Sequence, residues 1–435
     1  MRKTSQRFDL AILGADVAGL AAAGCAAVEG ASVLLVKTGA EAPLDFAGPG
    51  IPNAVWRLLG LEKVTTDRPK IAKTKTLTPL KDNKIKEVFE LHATRNDVIQ
   101  SLKSICPDTA ERWADFEGEL SSLTVSPASL LHSHQHTLYG STLDTLNEYL
   151  DDCFDHEPLK THLAAQSLLA LGLAGDEPGS AGALAALSKH AWPTNYGQNG
   201  HSFFDDFEKA VLETGVVLAQ GGVEEVASTK PHSFDIKLRP GDTFTTKAVM
   251  ASGVGVARAS GFFANTARSP LSRYSGSSAF IRIKFDDYPE TDILKDDERI
   301  FILENRQELA AARDAMAEGR IPENLPLTVE VNQRTMTAFT SFCPDQLIDD
   351  DGSRPWSDQD RQALGRLVYD RIKEHLNIRG RPSSIDVRID ISPHEPDPTN
   401  DKINRQNENR LRTPIDVADP VMAAVQMALE MTGHD

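Results

Sequence analysis

A short stretch near the start of the chain constrains the fold more than any other. Residues 8–13 are apolar, residues 14–19 form a glycine turn, and residues 17–29 form an alanine-rich segment. An apolar strand that turns through glycines into a helix is the arrangement of a dinucleotide-binding βαβ unit. A second apolar run at residues 32–36 completes the unit, because continuous apolarity is typical of a parallel strand buried on both faces. The sequence therefore predicts a parallel sheet with helices packed against it.

The glycine turn departs from the usual G-x-G-x-x-G pattern at one position. Gly14 and Gly19 occupy the first and third glycine positions, and Asp16 occupies the middle one. The middle glycine normally lets the backbone approach a pyrophosphate. A carboxylate there places negative charge at a helix N-terminus, which otherwise attracts anions. Two roles for Asp16 stay open: a residue that weakens a phosphate site, and an N-cap of the helix, for which Asp is well suited.

Composition narrows the class of protein. The chain has 435 residues, which predicts two domains, and a net charge of −17, which argues against a nucleic-acid partner. No window approaches the roughly 18 consecutive apolar residues of a membrane span, and the first residues lack the apolar core of a signal peptide. We therefore expect no transmembrane segment and a cytoplasmic location.

Cysteines and histidines give no pattern of a metal centre. The 4 cysteines lie far apart without a C-x-x-C pair, which argues against a zinc site or a dithiol redox centre. The imidazoles of His132, His134 and His136 would share one face of a strand, but no Cys or acid lies close enough to complete a ligand set. We predict a solvated segment there and no metal site.

Apolar periodicity predicts the remaining elements. Helices are predicted at residues 97–104, 109–123, 143–154, 159–173, 181–187, 203–214, 307–318, 358–376 and 421–431. Strands are predicted at residues 216–219, 223–228, 233–238, 243–246, 248–251, 280–285, 327–332, 335–342 and 385–391. Residues 73–91 are polar with weak alternation and are not assigned to an element.

The order of these segments resembles that of the phytoene-desaturase-related FAD-dependent oxidoreductases. Within that family the chain is most similar to the group named for pyridine nucleotide-disulfide oxidoreductase domain-containing protein 2. The opening turn is similar to the family's dinucleotide turn, and residues 200–226 are similar to its later glycine turn, helix and strand. Further segments that resemble the family are residues 157–160, 171–175, 178–181, 248–252 and 412–415.

This resemblance implies an α/β fold with a Rossmann-like FAD/NAD(P)-binding domain and a second, mixed-sheet substrate domain. The cofactor domain would be discontinuous, over residues 1–75, 190–260 and 395–435, with a substrate or cap domain over residues 76–189 and 261–394. The implied activity is FAD-dependent oxidation or desaturation of an apolar or small organic substrate. The implied cofactor-binding residues are Gly14, Ala15, Asp16, Ala18, Gly19, Lys37, Val223, Ser252 and Asp416, and the candidates for proton transfer are Tyr196 and His201.

Four departures from the family pattern fall on the cofactor. Asp16 replaces a glycine, and Lys37 stands at the end of the second strand, where the family has an acid for the ribose hydroxyls. Residues 38–43 lack the family's double glycine. Residues 415–420 lack its glycine- and proline-rich turn, which leaves Asp416 or Asp419 as the only acid nearby. Together these departures predict a weakened, altered or lost FAD site.

Two functions therefore stay open from the sequence. The first is an FAD-dependent oxidoreductase with an atypical dinucleotide site. The second is an FAD-free member of the same fold that acts as a binding or partner subunit, with a protein partner or a second copy of the chain. Lys37 adds a further alternative, since basic residues at this position meet the 2′-phosphate in NADP sites.

Overall fold

The computed structural model of the chain contains helices and two large sheets. It describes residues 7–37, 51–61, 73–79, 86–92, 95–122, 145–178, 180–187, 190–191, 203–230, 233–239, 241–252, 277–291, 293–296, 298–349, 352–390, 411–412 and 420–432. The helices are α1 (Val17–Val28), α2 (Asn53–Leu58), α3 (Arg95–Ile105), α4 (Pro107–Ser122), α5 (Leu146–Cys153), α6 (Glu157–Leu168), α7 (Ala181–Leu187), α8 (Phe203–Glu213), α9 (Gln307–Ala317), α10 (Asp358–Leu376) and α11 (Pro420–Thr432). The strands are β1 (Arg7–Leu13), β2 (Val33–Lys37), β3 (Ile51–Pro52), β4 (Lys73–Pro79), β5 (Lys86–His92), β6 (His190–Ala191), β7 (Val217–Gln220), β8 (Gly222–Lys230), β9 (Ser233–Arg239), β10 (Thr243–Ala251), β11 (Ser277–Phe285), β12 (Glu298–Ile302), β13 (Leu327–Asn332), β14 (Thr335–Cys343), β15 (Leu347–Asp349), β16 (Gly352–Arg354), β17 (Pro382–Asp390) and β18 (Leu411–Arg412).

The first sheet is built around the predicted βαβ unit. Strands β7, β2, β1, β10 and β18 are parallel neighbours in that order. The first half of β10 also pairs antiparallel with β9, and β9 pairs with β8, which gives a three-stranded meander. Because β2 lies on one side of β1 and β10 on the other, the strand order reverses beside β1. Ligands of open α/β sheets bind outside the carboxyl ends of the strands at such a reversal.

Apolar side chains cover both faces of this parallel sheet. Leu10 and Leu35 face a layer that includes α1, α2, α8 and α11. Leu13 and Val36 face the opposite way and pack with Phe234 of the meander. The alternation of side chains along a strand explains why neighbouring residues serve two different layers. The helix α1 lies inside the first layer and is buried along most of its length, as expected for a helix that is apolar on all sides.

The second sheet has the order β17, β11, β14, β13, β12, β4, β5. Strands β12 and β4 are parallel, and every other described pair in this sheet is antiparallel, so the sheet is mixed. Helix α10 packs against β17, where a Cβ on Gly365 would lie 2.8 Å from Val387 Cγ2. The predicted fold class is confirmed: an α/β protein with a Rossmann-like parallel sheet and a second, mixed sheet.

Buried ion pairs stabilise β4 and the strands beside it in the mixed sheet. Lys75 of β4 is buried, and its Nζ lies 2.6 Å from Glu298 Oε2 and 3.3 Å from Glu90 Oε1. In the neighbouring strands, Arg299 Nε donates to Glu330 Oε1 over 2.6 Å. A buried charge is tolerated only when it is paired and hydrogen-bonded. These partners therefore allow charged residues to lie within the strands.

The strands differ from the predicted elements in several places, and β12 lies where no strand was predicted. Residues 73–91 include the hairpin β4–β5, and residues 243–246 and 248–251 belong to one continuous strand, β10. The strand stays continuous because its two halves have different partners, β9 at the start and β18 at the end.

Over the described ranges of the chain, no helix combines the length and the apolar character needed to cross a membrane.

Candidate functional site

The glycine turn between β1 and α1 depends on its two glycines for different reasons. Gly14 has a φ of 117°, which side chains disfavour, and its N–H donates to Val36 O over 3.0 Å. A Cβ on Gly19 would lie 2.1 Å from Gly14 O, so only glycine allows the helix to start this close to the strand. The turn thus has the tight strand-to-helix geometry of a dinucleotide-binding unit.

Asp16 caps the N-terminus of α1 and also contacts the neighbouring strand. Its Oδ1 accepts a hydrogen bond from the Gly19 N–H over 2.7 Å and one from Ser252 Oγ over 2.8 Å. Ser252 directly follows β10, and its own N–H donates to Leu13 O over 2.9 Å. The Asp16–Ser252 hydrogen bond therefore connects the carboxyl ends of β1 and β10, where the strand order reverses.

This arrangement places an anion of the protein itself at the start of α1. The first N–H groups of a helix lack partners within the helix and are a ready site for phosphate. Here the Asp16 carboxylate takes the Gly19 N–H. A phosphate could bind at the first turn of α1 only after the Asp16 side chain rotates away from the Gly19 N–H.

Lys37 ends β2 beside the glycine turn and is paired with a residue that the sequence did not single out. Its Nζ lies 2.6 Å from Glu208 Oε2 of α8. The two side chains are half-buried, with 32% and 23% of their areas exposed. The positive charge of Lys37 is therefore neutralised by an acid. No local pattern pointed to Glu208, because it lies 171 residues away in the sequence.

The other predicted site residues either lie near the glycine turn and β2 or fall outside the described ranges. Ala15 and Ala18 are buried within the turn and the first helix. Val223 lies near the carboxyl end of β2, because the N–H of Gly221, just before β8, donates to Lys37 O over 3.0 Å. The predicted residues that lie outside the described ranges are Asp416, Tyr196, His201, His132, His134 and His136.

One histidine of the described residues is completely buried and lies away from this turn. His162 of α6 has Nδ1 2.7 Å from Thr76 Oγ1 and Nε2 3.0 Å from Thr74 Oγ1, both on β4. The rings of Phe89 and Phe301 pack against it. Burial lowers the pKa of His162 to about 3. A neutral imidazole with these partners joins α6 to β4 and is not placed to exchange protons with a substrate.

His162 is expected to make the protein less stable in mild acid. Its pKa is about 3 when folded and 6.5 when exposed, so the unfolded chain binds a proton first as the pH falls. The free energy of unfolding should be unaffected above pH 6.5 and should fall below it by about 1.4 kcal/mol per pH unit. We expect urea unfolding at pH 5 and pH 7 to show this loss in the wild type and a flatter response in His162→Gln. Equal pH responses of the two proteins would contradict the assignment.

Two of the four thiols are buried deeply enough to stay protonated. The thiols of Cys25 and Cys343 are buried, which raises the pKa of each to about 12. Neither thiol is therefore ionised at neutral pH. Within the described ranges, no group of three or more His, Cys, Asp or Glu side chains is placed to hold a metal ion.

Comparisons with known proteins give weak likenesses only. No family model matches the chain, and no curated protein matches it. Among solved structures, a Rab GDI from Plasmodium falciparum is 11% identical over 98% of both chains, with a TM-score of 0.49. A putrescine oxidase bound to putrescine is 10% identical over 98% of both chains, with a TM-score of 0.49. A geranylgeranyl bacteriochlorophyll reductase-like protein from Thermoplasma acidophilum is 12% identical over 98% of this chain and 78% of that one, with a TM-score of 0.45.

Proposed function

We propose that this protein is an FAD-dependent oxidoreductase of the phytoene-desaturase-related type, acting on an apolar or small organic substrate. The observation that carries the proposal is the glycine turn beside β1. There the strand order reverses, and the turn from Gly14 to Gly19 leads directly into the N-terminus of a buried helix. In dinucleotide-binding folds, this combination forms the end of the sheet that binds the phosphates, and it therefore supports the proposal.

Each part of the cofactor has a proposed set of residues. The backbone from Gly14 to Gly19 would hold the diphosphate once Asp16 has rotated away, and Val223 would place its backbone near the adenine. Ser252 would then be released from Asp16 and would stay at the end of β10, beside the turn. The flavin, when bound, supplies the acceptor for a hydride from the substrate. Tyr196 and His201 stay the proposed groups for proton transfer, and Asp416 stays the proposed acid near the flavin.

The proposed domain division follows the two sheets. The strands of the parallel sheet fall within the segments assigned to the cofactor domain, and those of the mixed sheet fall within the substrate domain apart from the start of β4. Because β4 begins at Lys73 and pairs with β5 and β12, we place the first boundary before residue 73.

The proposal is tested by the visible spectrum of the purified protein and by titration with FAD. Bound flavin gives a yellow protein, and a protein purified without flavin should quench FAD fluorescence as it binds. We expect saturable binding of FAD that weakens when Gly14 is replaced by valine, because the positive φ of Gly14 excludes a branched side chain. A colourless protein that binds no FAD, either as the wild type or as Asp16→Asn, would rule the proposal out.

A second candidate function is an FAD-free binding or partner subunit. Two observations favour it: the Asp16 carboxylate already has two hydrogen-bond donors, and Lys37 is already paired. The same titration separates the two candidates. If the protein is FAD-free, it stays colourless, and neither the wild type nor Asp16→Asn gives a saturable response to FAD. Its folded state is then as stable with FAD as without it.

A further inference from the structure

We propose that Glu208 sets the nucleotide preference of this site. In this assignment Glu208 neutralises Lys37 and accepts a hydrogen bond from the adenosine ribose, so that the site takes an unmodified 2′-hydroxyl and rejects a 2′-phosphate. The inference rests on the proposed function, because it requires that the adenosine half of a dinucleotide binds beside β2.

The position of Lys37 is established by backbone contacts on both sides. Val36 O accepts the N–H of Gly14, and Lys37 O accepts the N–H of Gly221. Lys37 therefore lies between the glycine turn and the start of β8, at the carboxyl end of β2. In dinucleotide folds this is where an acid binds the ribose hydroxyls or a basic residue binds a 2′-phosphate.

The charge at this position comes from two residues that are far apart in the sequence. Lys37 Nζ contacts Glu208 Oε2 over 2.6 Å, and together the two side chains carry no net charge. Among the described residues, Glu208 Oε1 has no hydrogen-bond donor. Both side chains keep part of their area exposed, so a ligand can reach them.

The pair explains how a lysine can stand where an acid is usual. Glu208 supplies the acceptor for a hydroxyl, and the ammonium group of Lys37 is occupied by that same acid. A 2′-phosphate would face the Glu208 carboxylate at close range, and like charges at such a distance repel. Removal of the Glu208 charge would leave Lys37 as an unpaired cation suited to phosphate.

The test compares two nucleotides that differ only in the 2′-phosphate, adenosine 5′-monophosphate and adenosine 2′,5′-bisphosphate. Calorimetric titration should show that the wild type prefers the monophosphate. In Glu208→Gln the ratio of the two dissociation constants should shift toward the bisphosphate by about tenfold or more, which is typical of a charge-assisted contact. This shift should shrink at high salt and should be lost when Lys37→Met is added.

Glu213→Gln is the matched control, because Glu213 ends the same helix and is exposed. It should leave the ratio unchanged. An unchanged ratio in Glu208→Gln, or binding of neither nucleotide to any of these proteins, overturns the inference. If FAD binds but Glu208→Gln leaves the ratio unchanged, the inference about Glu208 is overturned and the proposed flavoenzyme is not. A shifted ratio without FAD binding overturns the proposed flavoenzyme and leaves the role of Glu208 in place.

Discussion

Asp16→Asn is expected to raise the affinity for FAD by about a hundredfold. At an effective dielectric constant of about 20, two unit charges about 4 Å apart repel by roughly 4 kcal/mol, and rotation of Asp16 toward solvent removes part of this cost. Asparagine is as good an N-cap as aspartate, so the helix keeps its cap while the charge is lost. The dissociation constant of FAD, measured by fluorescence quenching or calorimetry, checks this prediction.

Two further variants separate the charge of Asp16 from its contacts. Ser252→Ala removes one donor to the carboxylate, frees Asp16 to rotate, and should tighten FAD binding by a few-fold. Asp16→Gly removes the charge and the side chain, and costs the helix cap only a few tenths of a kcal/mol. It should therefore bind FAD at least as tightly as Asp16→Asn.

Asp9→Asn controls for the overall charge of the protein. Asp9 lies at the opposite end of β1, where Lys247 and Ser32 lower the pKa of its carboxyl to about 2. Its replacement should leave FAD affinity unchanged. Equal gains in Asp9→Asn and Asp16→Asn would show that long-range charge, and not the carboxylate at the turn, limits binding. No gain in any Asp16 variant would show that the other departures dominate.

Gly19→Ala is expected to have the largest effect on stability. The added Cβ would lie 2.1 Å from Gly14 O and 3.1 Å from Asp16 Oδ1, and the closer atom is backbone that cannot swing aside. The start of α1 must move away from β1, which breaks the cap and disturbs a helix that is buried along most of its length. We expect a loss of about 3 kcal/mol or more in the free energy of unfolding, at the upper end for overpacking.

Gly118→Ala is the matched control, since it makes the same substitution within α4 at an exposed position. A Cβ on Gly118 would meet nothing within 4 Å. Because alanine is the better helix former, this variant should be more stable than the wild type by about 0.5–1 kcal/mol. Urea unfolding followed by circular dichroism measures both. Similar stabilities of the two variants would mean that the contact between Gly19 and Gly14 does not restrict the turn.

Elements with a strong local pattern were predictable. The strand predicted at residues 327–332 and the helix predicted at residues 358–376 are found with the same bounds. The helix starts at a capping box in which Ser357 and Asp360 bond reciprocally, a signal readable from the sequence. The first βαβ unit is likewise present within about one or two residues of its predicted bounds, because its apolar runs are continuous.

Elements that depend on distant partners were not predictable. Residues 73–79 are lysine- and threonine-rich and lack an apolar run, yet they form an interior strand of the mixed sheet, with neighbours on both sides. Lys75 is buried there because Glu298 neutralises it, and Thr76 is buried because His162 bonds to its hydroxyl. Neither partner is near in the sequence, and a local window does not contain the interaction that makes burial favourable.

The sequence by itself determined the glycine turn, the parallel fold class and the presence of an acid where a pyrophosphate usually binds. These depend on apolar periodicity and on glycine positions, which act over a few residues. Only the tertiary structure decided what that acid does: Asp16 bonds to Ser252, 236 residues away, at the reversal of strand order. It also decided that Lys37 is neutralised by Glu208, because charge at a site is the sum over residues that folding brings together.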